Sequence, residues 1–272
     1  MSGKEMLIAE KSRRTSGHAR KCQSSPENLR GFTLVELLVV ISILTLLMAI
    51  LLPTLGRARK HAKAMACQAN LRQWAMAITM YGLDDGEQYA GEQVFSWCIK
   101  GGYANEGLLL CPMTSRYEPR PDGLTDVTKT VNYGSVSTPW RSASLTGSYG
   151  VQAAQRTLCS RPFDDQKRWS PSCVPMMWDS ALPIVIPWDA HVEPPPYDGA
   201  MSDMFSMMPI CMNRHDGGID MAFCDASIRK VGLKELWTLK WQVRFDPAGP
   251  WTKAGGVQAE DWPLWMRKFK DY

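Results

Sequence analysis

The sequence lacks the local motifs by which many enzymes and metal proteins are recognised. It has no nucleophile motif, no phosphate-binding glycine loop and no zinc-protease helix. None of its eight cysteines forms a CxxC pair, which argues against a structural zinc site. It has four histidines, and only His191 and His215 lie in the part expected to be globular. We therefore expect a protein that is not an enzyme and has no metal or other cofactor.

Net charge is absent from most of the chain. The formal charge is +4, and residues 1–31 supply all of it with seven Lys/Arg and three acids. The remainder carries 24 residues of each sign, so a basic surface for nucleic acid is not expected. A positive leader ahead of an apolar run instead indicates a cytoplasmic N-terminus.

There is one long hydrophobic run, at residues 32–52, and Glu36 is its only charge. As a helix it would span about 32 Å, which is enough to cross a bilayer. A cleaved secretory signal has a shorter apolar core followed by small residues, whereas here Gly31 precedes the run. We therefore expect a basic leader at 1–31 and a transmembrane helix at 32–52. The protein would be a single-pass inner-membrane protein, with its C-terminal domain periplasmic or extracellular.

The helix is predicted to continue as an amphipathic segment over residues 53–82. Leu71, Trp74 and Ile78 follow the helical apolar spacing, and Gly82 closes the segment. Pro53 either kinks this single long helix or marks the exit from the membrane.

Residues 83–272 are predicted to form an extracytoplasmic β-rich domain, with a loop-rich stretch at 115–172 and a Trp-rich tail. The fold class is therefore α+β with an antiparallel sheet. Strands are expected in the apolar pieces between turn residues, which are Val94–Ile99, Leu108–Cys111, Val174–Trp178, Ile184–Trp188 and Ile219–Val231.

The clearest strand pair is Ile219–Cys224 with Ser227–Val231, joined by a turn at Asp225 and Ala226. Alternation in the first strand predicts one buried and one polar face. A tight primed turn needs positive φ, and alanine there costs about 1 kcal/mol relative to glycine, so another turn type is expected.

Tryptophan and cysteine carry further expectations. The tail residues Trp237, Trp241, Trp251, Trp262 and Trp265 are interpreted as core cover rather than as exposed binding aromatics. Removal of the leader would take Cys22 and leave seven cysteines. In an oxidising compartment some would pair and at least one would stay free.

The basic leader, Gly31, Phe32, Glu36 and the apolar run together resemble the type IV prepilin signature of pilins and type II secretion pseudopilins. The resemblance implies cleavage after Gly31 and N-methylation of Phe32 by a prepilin peptidase. It also implies assembly through pairing of Glu36 with the new amine. Two alternatives stay open: Gly31 merely precedes a signal anchor, or Glu36 extends to the interface.

A second resemblance lies near the C-terminus. Nine residues separate His215 from Asp225-Ala226, which resembles the His-x9-Asp-Gly element of prepilin-like proteins from planctomycete and related genomes, with Ala226 in place of glycine. We expect His215 and Asp225 to flank one hairpin and to hydrogen-bond as a structural pair. A metal site that uses His215, Asp216 or Asp225 is the less favoured alternative.

The resemblance implies a pseudopilin-like structural subunit of a type II secretion or type IV pilus-like filament. Its partners would be a prepilin peptidase/methyltransferase, other pilin-like subunits and the membrane, but no nucleic acid. The alternative is a membrane-anchored extracytoplasmic enzyme or binding module exported by the prepilin route. Convergence of Asp179, Asp189, His191 and His215 into a hydrolase site would favour that alternative.

Overall fold

The computed structural model describes residues 32–84, 93–114, 131–132, 134–142, 145–152, 170–201, 204–242 and 244–272. The chain divides into two compact units, residues 1–51 and residues 52–272. The first helix, α1 (Leu34–Asp84), has 51 residues and contributes to both units. The prediction of a single long helix is confirmed, with its end two residues beyond the predicted Gly82. Pro53 lies inside α1, where the missing N–H removes one helical hydrogen bond.

In the first unit, the described residues are the apolar start of α1. Its side chains from Leu34 to Leu51 are exposed, although nearly all of them are hydrophobic. Within the described part of the chain, α1 is the one helix that is long and apolar enough to cross a membrane. A helix satisfies its own backbone hydrogen bonds, so such a surface suits lipid.

The described residues of the second unit form two antiparallel sheets. The smaller sheet has the order β1 (Val131–Asn132), β2 (Trp140–Ser142), β3 (Thr146–Gly147). The larger sheet has the order β4 (Tyr149–Val151), β5 (Pro175–Asp179), β6 (Gly218–Phe223), β7 (Ile228–Gly232). Every neighbouring pair in both sheets is antiparallel. The predicted α+β class is thus confirmed.

The larger sheet is covered on both faces. Met177 and Ala222 lie opposite each other and pack with buried residues of α1 such as Trp74. Trp178 and Met221 also lie opposite each other but face the other way, into a core built from the C-terminal residues. All six residues of β6 are therefore buried. The predicted polar face of this strand was wrong because α1 covers it.

The predicted hairpin is confirmed as β6 and β7. Its loop closes with Phe223 N–H donating to Ser227 O at 3.0 Å and Ala226 N–H donating to Phe223 O at 2.9 Å. Ala226 has φ +61°, in the left-handed region. The loop is not a two-residue primed turn, as expected, but Ala226 still has the positive φ at which glycine is favoured.

Ala226→Gly is expected to stabilise the domain by about 1 kcal/mol, because glycine adopts positive φ without strain. The full chain in detergent should show a higher melting temperature. Ala222→Gly is the matched control. It lies in extended β6, where glycine weakens a strand, so its melting temperature should fall. A lower melting temperature for Ala226→Gly would contradict the left-handed conformation.

Three predicted strands were wrong. Val94–Ile99 lies within a helix, α2 (Gln93–Lys100), and Leu108–Cys111 overlaps a 3₁₀ helix at Glu106–Leu109. A short apolar run does not by itself distinguish a strand from a buried helix. Val174–Trp178 corresponds to β5. Ile184–Trp188 is not a strand: it forms an isolated bridge from Ile184 to Val151, and Ile186 and Trp188 donate backbone hydrogen bonds to Met204 and Phe205. Most of the predicted loop-rich stretch at 115–172 lies outside the described residues.

The interpretation of the Trp-rich tail as core is confirmed. Trp237, Trp241 and Trp262 are buried, and Trp251 and Trp265 pack against the same cluster. Trp241 contacts Trp178 of β5 edge to face at 4.9 Å between ring centroids, a favourable aromatic geometry. The C-terminal residues therefore form the second cover of the larger sheet.

Candidate functional site

The first candidate site is the start of α1. Phe32 is exposed, and Gly31 lies outside the described residues. Glu36 Oε2 accepts hydrogen bonds from Thr33 N–H and from Thr33 Oγ1, both at 2.8 Å. Glu36 N–H donates to Thr33 Oγ1 at 3.2 Å. This reciprocal arrangement is a capping box, which satisfies N–H groups that a helix leaves free at its start.

The capping box was missed by the sequence reasoning, although its signal is local. Thr33 stands three residues before Glu36 and directly before the apolar run, which is the usual signature. Glu36 is therefore held by its own helix within one chain. The carboxylate keeps acceptor positions beyond those that Thr33 uses, so capping does not prevent a further partner.

The predicted hydrogen bond between His215 and Asp225 is not formed. The two residues lie beyond opposite ends of β6, whose six residues extend about 20 Å. Asp225 Oδ1 instead accepts from Ser227 N–H at 2.9 Å in the exposed turn. Two residues at opposite ends of one strand are separated by the length of that strand, so they cannot hydrogen-bond to each other. The predicted pair was therefore wrong.

His215 instead belongs to a group of buried side chains in the second unit, which we call the buried polar cluster. Its members are Cys67, Cys111, Asp179, His215 and Asp220. Cys67 lies on α1, Cys111 follows the 3₁₀ helix, and Asp179 ends β5. One potential metal-ligand atom from each of the first four lies within 4.8 Å of the others.

Three acceptor atoms surround one nitrogen of His215. Its Nε2 lies 2.9 Å from Asp179 Oδ2, 3.4 Å from Asp220 Oδ2 and 3.4 Å from Cys111 Sγ. One N–H group serves one acceptor well. Accordingly, Asp220 Oδ2 is buried and has no hydrogen-bond partner among the described residues. The other ring nitrogen, Nδ1, is also buried without a partner in the described part of the chain.

Asp179 is fixed from several directions. Arg214 Nη1 donates to its Oδ1 at 3.2 Å, and the backbone N–H of Asp220 donates to its Oδ2 at 2.9 Å. Arg214 also donates to three carbonyls, those of Ser135, Val136 and Ser148. The guanidinium therefore ties two segments, one at Ser135 and Val136 and one at Ser148, to the end of β5 and holds the carboxylate in one orientation.

The cysteines and Asp220 also have fixed neighbours. Tyr149 O–H donates to Cys67 Sγ at 3.2 Å, and that sulfur lies 3.8 Å from both oxygens of Asp179. Gln68 Nε2 donates to Asp220 Oδ1 at 2.8 Å. Tyr149 and Gln68 are not potential ligands themselves, but their hydrogen bonds orient Cys67 and Asp220.

Burial and mutual charge shift the ionisation of the cluster. Burial alone would lower the pKa of His215, but Asp179 outweighs it and the pKa rises to about 10. Burial opposes the charge of Asp179, yet His215 and Arg214 keep its pKa below the ordinary value. Burial raises the pKa of Cys67, whereas the hydrogen bond from Cys67 lowers the pKa of Cys111. Burial also raises the pKa of Asp220.

An open pocket of about 610 Å³ lies beside the buried polar cluster. His215 and Asp220 are among its lining residues. Its other charged or titratable lining residues are Arg57, Lys60, His61, Arg214, Asp216 and Lys230. The pocket is a route by which a small solute can reach two members of the cluster.

The sequence-predicted hydrolase set is brought together only in part. Asp179 and His215 are in contact, whereas Asp189 and His191 are exposed and interact with each other through His191 N–H and Asp189 Oδ1 at 3.1 Å.

Five cysteines are free in the described ranges, at positions 67, 98, 111, 173 and 211, and Cys224 is disulfide-bonded. Bonded and free thiols thus coexist, as expected.

Comparison with known proteins bears on the first candidate site. Residues 28–52 match the family described as the prokaryotic N-terminal methylation motif. Together with the long apolar helix and the antiparallel sheets, this match supports a type IV pilin-like protein.

A relative supports the same class. The chain is 43% identical over 58 residues to the type IV wide pilus major component PilA4 of Thermus thermophilus. The match covers 21% of this chain and 44% of that relative's length. No solved structure matches the chain.

Proposed function

We propose that this protein is a pilin-like filament subunit that assembles through the helix at Phe32–Leu52. The observation that carries the proposal is the methylation motif at residues 28–52, located at the start of a membrane-capable helix. The subunit lies in the inner membrane with its N-terminus cytoplasmic and residues 83–272 outside. Prepilin peptidase and other pilin-like subunits are its partners.

The finer proposal is a pseudopilin-like subunit of a type II secretion or type IV pilus-like machine. The spacing of His215 and Asp225 supports grouping it with the prepilin-like proteins that carry a His-x9-Asp-Gly element. The role of such a subunit is structural and mechanical, and the hairpin of β6 and β7 is part of its folded domain.

The second candidate function is a membrane-anchored extracytoplasmic module that uses the prepilin route for export. The observation that favours it is the 610 Å³ pocket next to buried, charged side chains. A module of this kind would be processed at the same position but would stay monomeric. Assembly therefore separates the two candidates better than processing does.

Maturation is the first test. Native protein should begin at Phe32 and carry one added methyl group, because cleavage after Gly31 exposes that amine. N-terminal sequencing and intact-mass measurement check both points. A mature chain that starts near residue 1 or beyond Leu52 would rule out the prepilin route for both candidates.

Assembly is the second test, and the capping box allows a sharper variant than alanine alone. Glu36→Gln keeps a side chain that can cap the helix but removes the charge. Glu36→Ala removes both. If the charge pairs with the amine of a neighbouring subunit, both variants should lose crosslinked oligomers while cleavage after Gly31 persists.

The control is Thr33→Val, which removes the hydroxyl of the capping box and keeps Glu36 charged. It should retain most crosslinking, since the register charge is intact. Crosslinking at the parental level in Glu36→Gln would show that Glu36 is not a register charge. Absence of oligomers in the processed parent would favour the anchored module.

A further inference from the structure

We infer that Cys67, Cys111, Asp179 and His215 form a binding site for a single Zn²⁺ ion in the second unit. The four side chains come from four separate places in the chain: α1, the segment after the 3₁₀ helix, the end of β5, and the residue three before β6. All four are buried. The inference concerns a site that the proposed filament function does not require.

The geometry agrees with tetrahedral coordination. Zinc bonds of about 2.0–2.3 Å place neighbouring ligand atoms about 3.3–3.8 Å apart. Cys111 Sγ lies 3.4 Å from His215 Nε2, and Cys67 Sγ lies 3.8 Å from the oxygens of Asp179. His215 Nε2 and Asp179 Oδ2 are hydrogen-bonded at 2.9 Å and would move apart slightly when the ion replaces the proton between them. The four ligand atoms lie within 4.8 Å of one another, so small side-chain movements place them around one ion.

The donor set favours zinc. Thiolate and imidazole ligands suit Zn²⁺, whereas Mg²⁺ and Ca²⁺ prefer sites made of oxygen atoms. Two sulfurs, one nitrogen and one carboxylate oxygen fill four positions, as in closed structural zinc sites. The ion would link α1 to β5 and to the segment before β6.

A bound cation would also satisfy polar atoms that have no suitable hydrogen-bond partner in the protein. Three acceptors crowd His215 Nε2, and Asp220 Oδ2 is buried without a hydrogen bond among the described residues. A cation between the ligands attracts all of these atoms at once. Metal-bound histidine and carboxylate are usually held from behind, and here Arg214 and the Asp220 N–H hold Asp179.

Binding of Zn²⁺ releases the protons that its ligands carry. Zn–S bonds replace the S–H bonds of Cys67 and Cys111, and a Zn–N bond replaces the proton on Nε2 of His215. The released protons go to solvent, and no oxidant or reductant is needed. The ion can enter through the pocket, whose lining includes His215 and Asp220.

The test uses the full chain in detergent, reduced, stripped of metal and titrated with Co²⁺. Cobalt replaces zinc and reports thiolate ligands by a sulfur-to-metal charge-transfer absorption. The parent should develop this absorption with about one equivalent of cobalt, and added Zn²⁺ should abolish it. Zinc analysis of protein purified without chelator should give about one ion per chain.

Variants separate ligands from neighbours. Cys111→Ser and His215→Ala should lose the absorption. The matched control is Cys173→Ser, which changes a free, partly exposed cysteine outside the cluster and should behave as the parent does. Tyr149→Phe removes the hydroxyl that donates to Cys67 and should weaken zinc affinity about ten- to a hundredfold.

Two results would overturn the site. One is a folded parent, by circular dichroism, that gives no thiolate–cobalt absorption. The other is peptide mapping of native protein that finds Cys67 joined to Cys111 by a disulfide. Both are measured on the parent, so a variant that fails to fold does not leave the inference untested.

Discussion

Arg214→Ala should destabilise the second unit by about 3–5 kcal/mol, which is the usual cost of removing one partner from a buried ion pair. Both side chains of the Arg214–Asp179 pair have no exposed area. The substitution leaves the carboxylate without its arginine and leaves the carbonyls of Ser135, Val136 and Ser148 without this donor. Unsatisfied buried acceptors add to the loss.

The measurement is denaturant unfolding of the full chain in detergent, followed by tryptophan fluorescence, with a chelator present so that metal does not contribute. Arg214→Lys should fall between the parent and the alanine variant, because it keeps the charge but not the planar fork of donors. The control is Arg229→Ala. Arg229 forms an ion pair with Glu235 in which 40% of the arginine side chain is exposed, so its loss should cost about 1 kcal/mol or less. Equal losses for Arg214→Ala and Arg229→Ala would contradict the described network.

Trp178→Ala should cost about 3–5 kcal/mol, as expected for removal of a large aromatic side chain from a packed core. Trp178 is fully buried in β5 and packs edge to face against Trp241. The alanine variant leaves a cavity between the larger sheet and the C-terminal layer. The same unfolding measurement gives the loss.

Trp178→Phe is the informative partner variant. Trp178 Nε1 is buried and has no hydrogen-bond partner within the described ranges, so phenylalanine keeps an aromatic ring and removes an unsatisfied donor. Its cost should stay below about 1.5 kcal/mol. A loss as large as that of alanine would mean that Nε1 has a partner whose removal matters.

The parts of the fold predicted from sequence are those that local patterns determine. A run of twenty-one residues with one charge predicts a long apolar helix, and α1 includes these residues from Leu34 onward. The hairpin of β6 and β7 was predicted because both strands and their turn lie within a few residues of one another. Val94–Ile99 was misassigned because a six-residue apolar run fits a strand and a buried helix equally well.

The buried polar cluster was not predicted, and the reason is physical. A search by spacing finds ligands that lie close together in sequence, as in CxxC pairs. Here Cys67 is 112 positions from Asp179, and Cys111 is 104 positions from His215. The register of β5 and β6, the packing of α1 on the sheet and the position of the segment after the 3₁₀ helix bring them together. Asp220 was likewise expected to face solvent, because the cover that α1 supplies to β6 is not visible from the strand's own residues.

The wide separation of the cluster residues also sets the order in which the domain can form. Contacts between distant positions must close long loops, and they form later than helices and hairpins, which use near neighbours. α1 and the hairpin of β6 and β7 can form early, whereas the meeting of Cys67, Asp179 and His215 requires β5 to be in place between them. The completed cluster is therefore expected to form late in folding. Before α1 has packed onto the larger sheet, the thiols and carboxylates of the cluster are apart from one another and cannot act as one set of ligands.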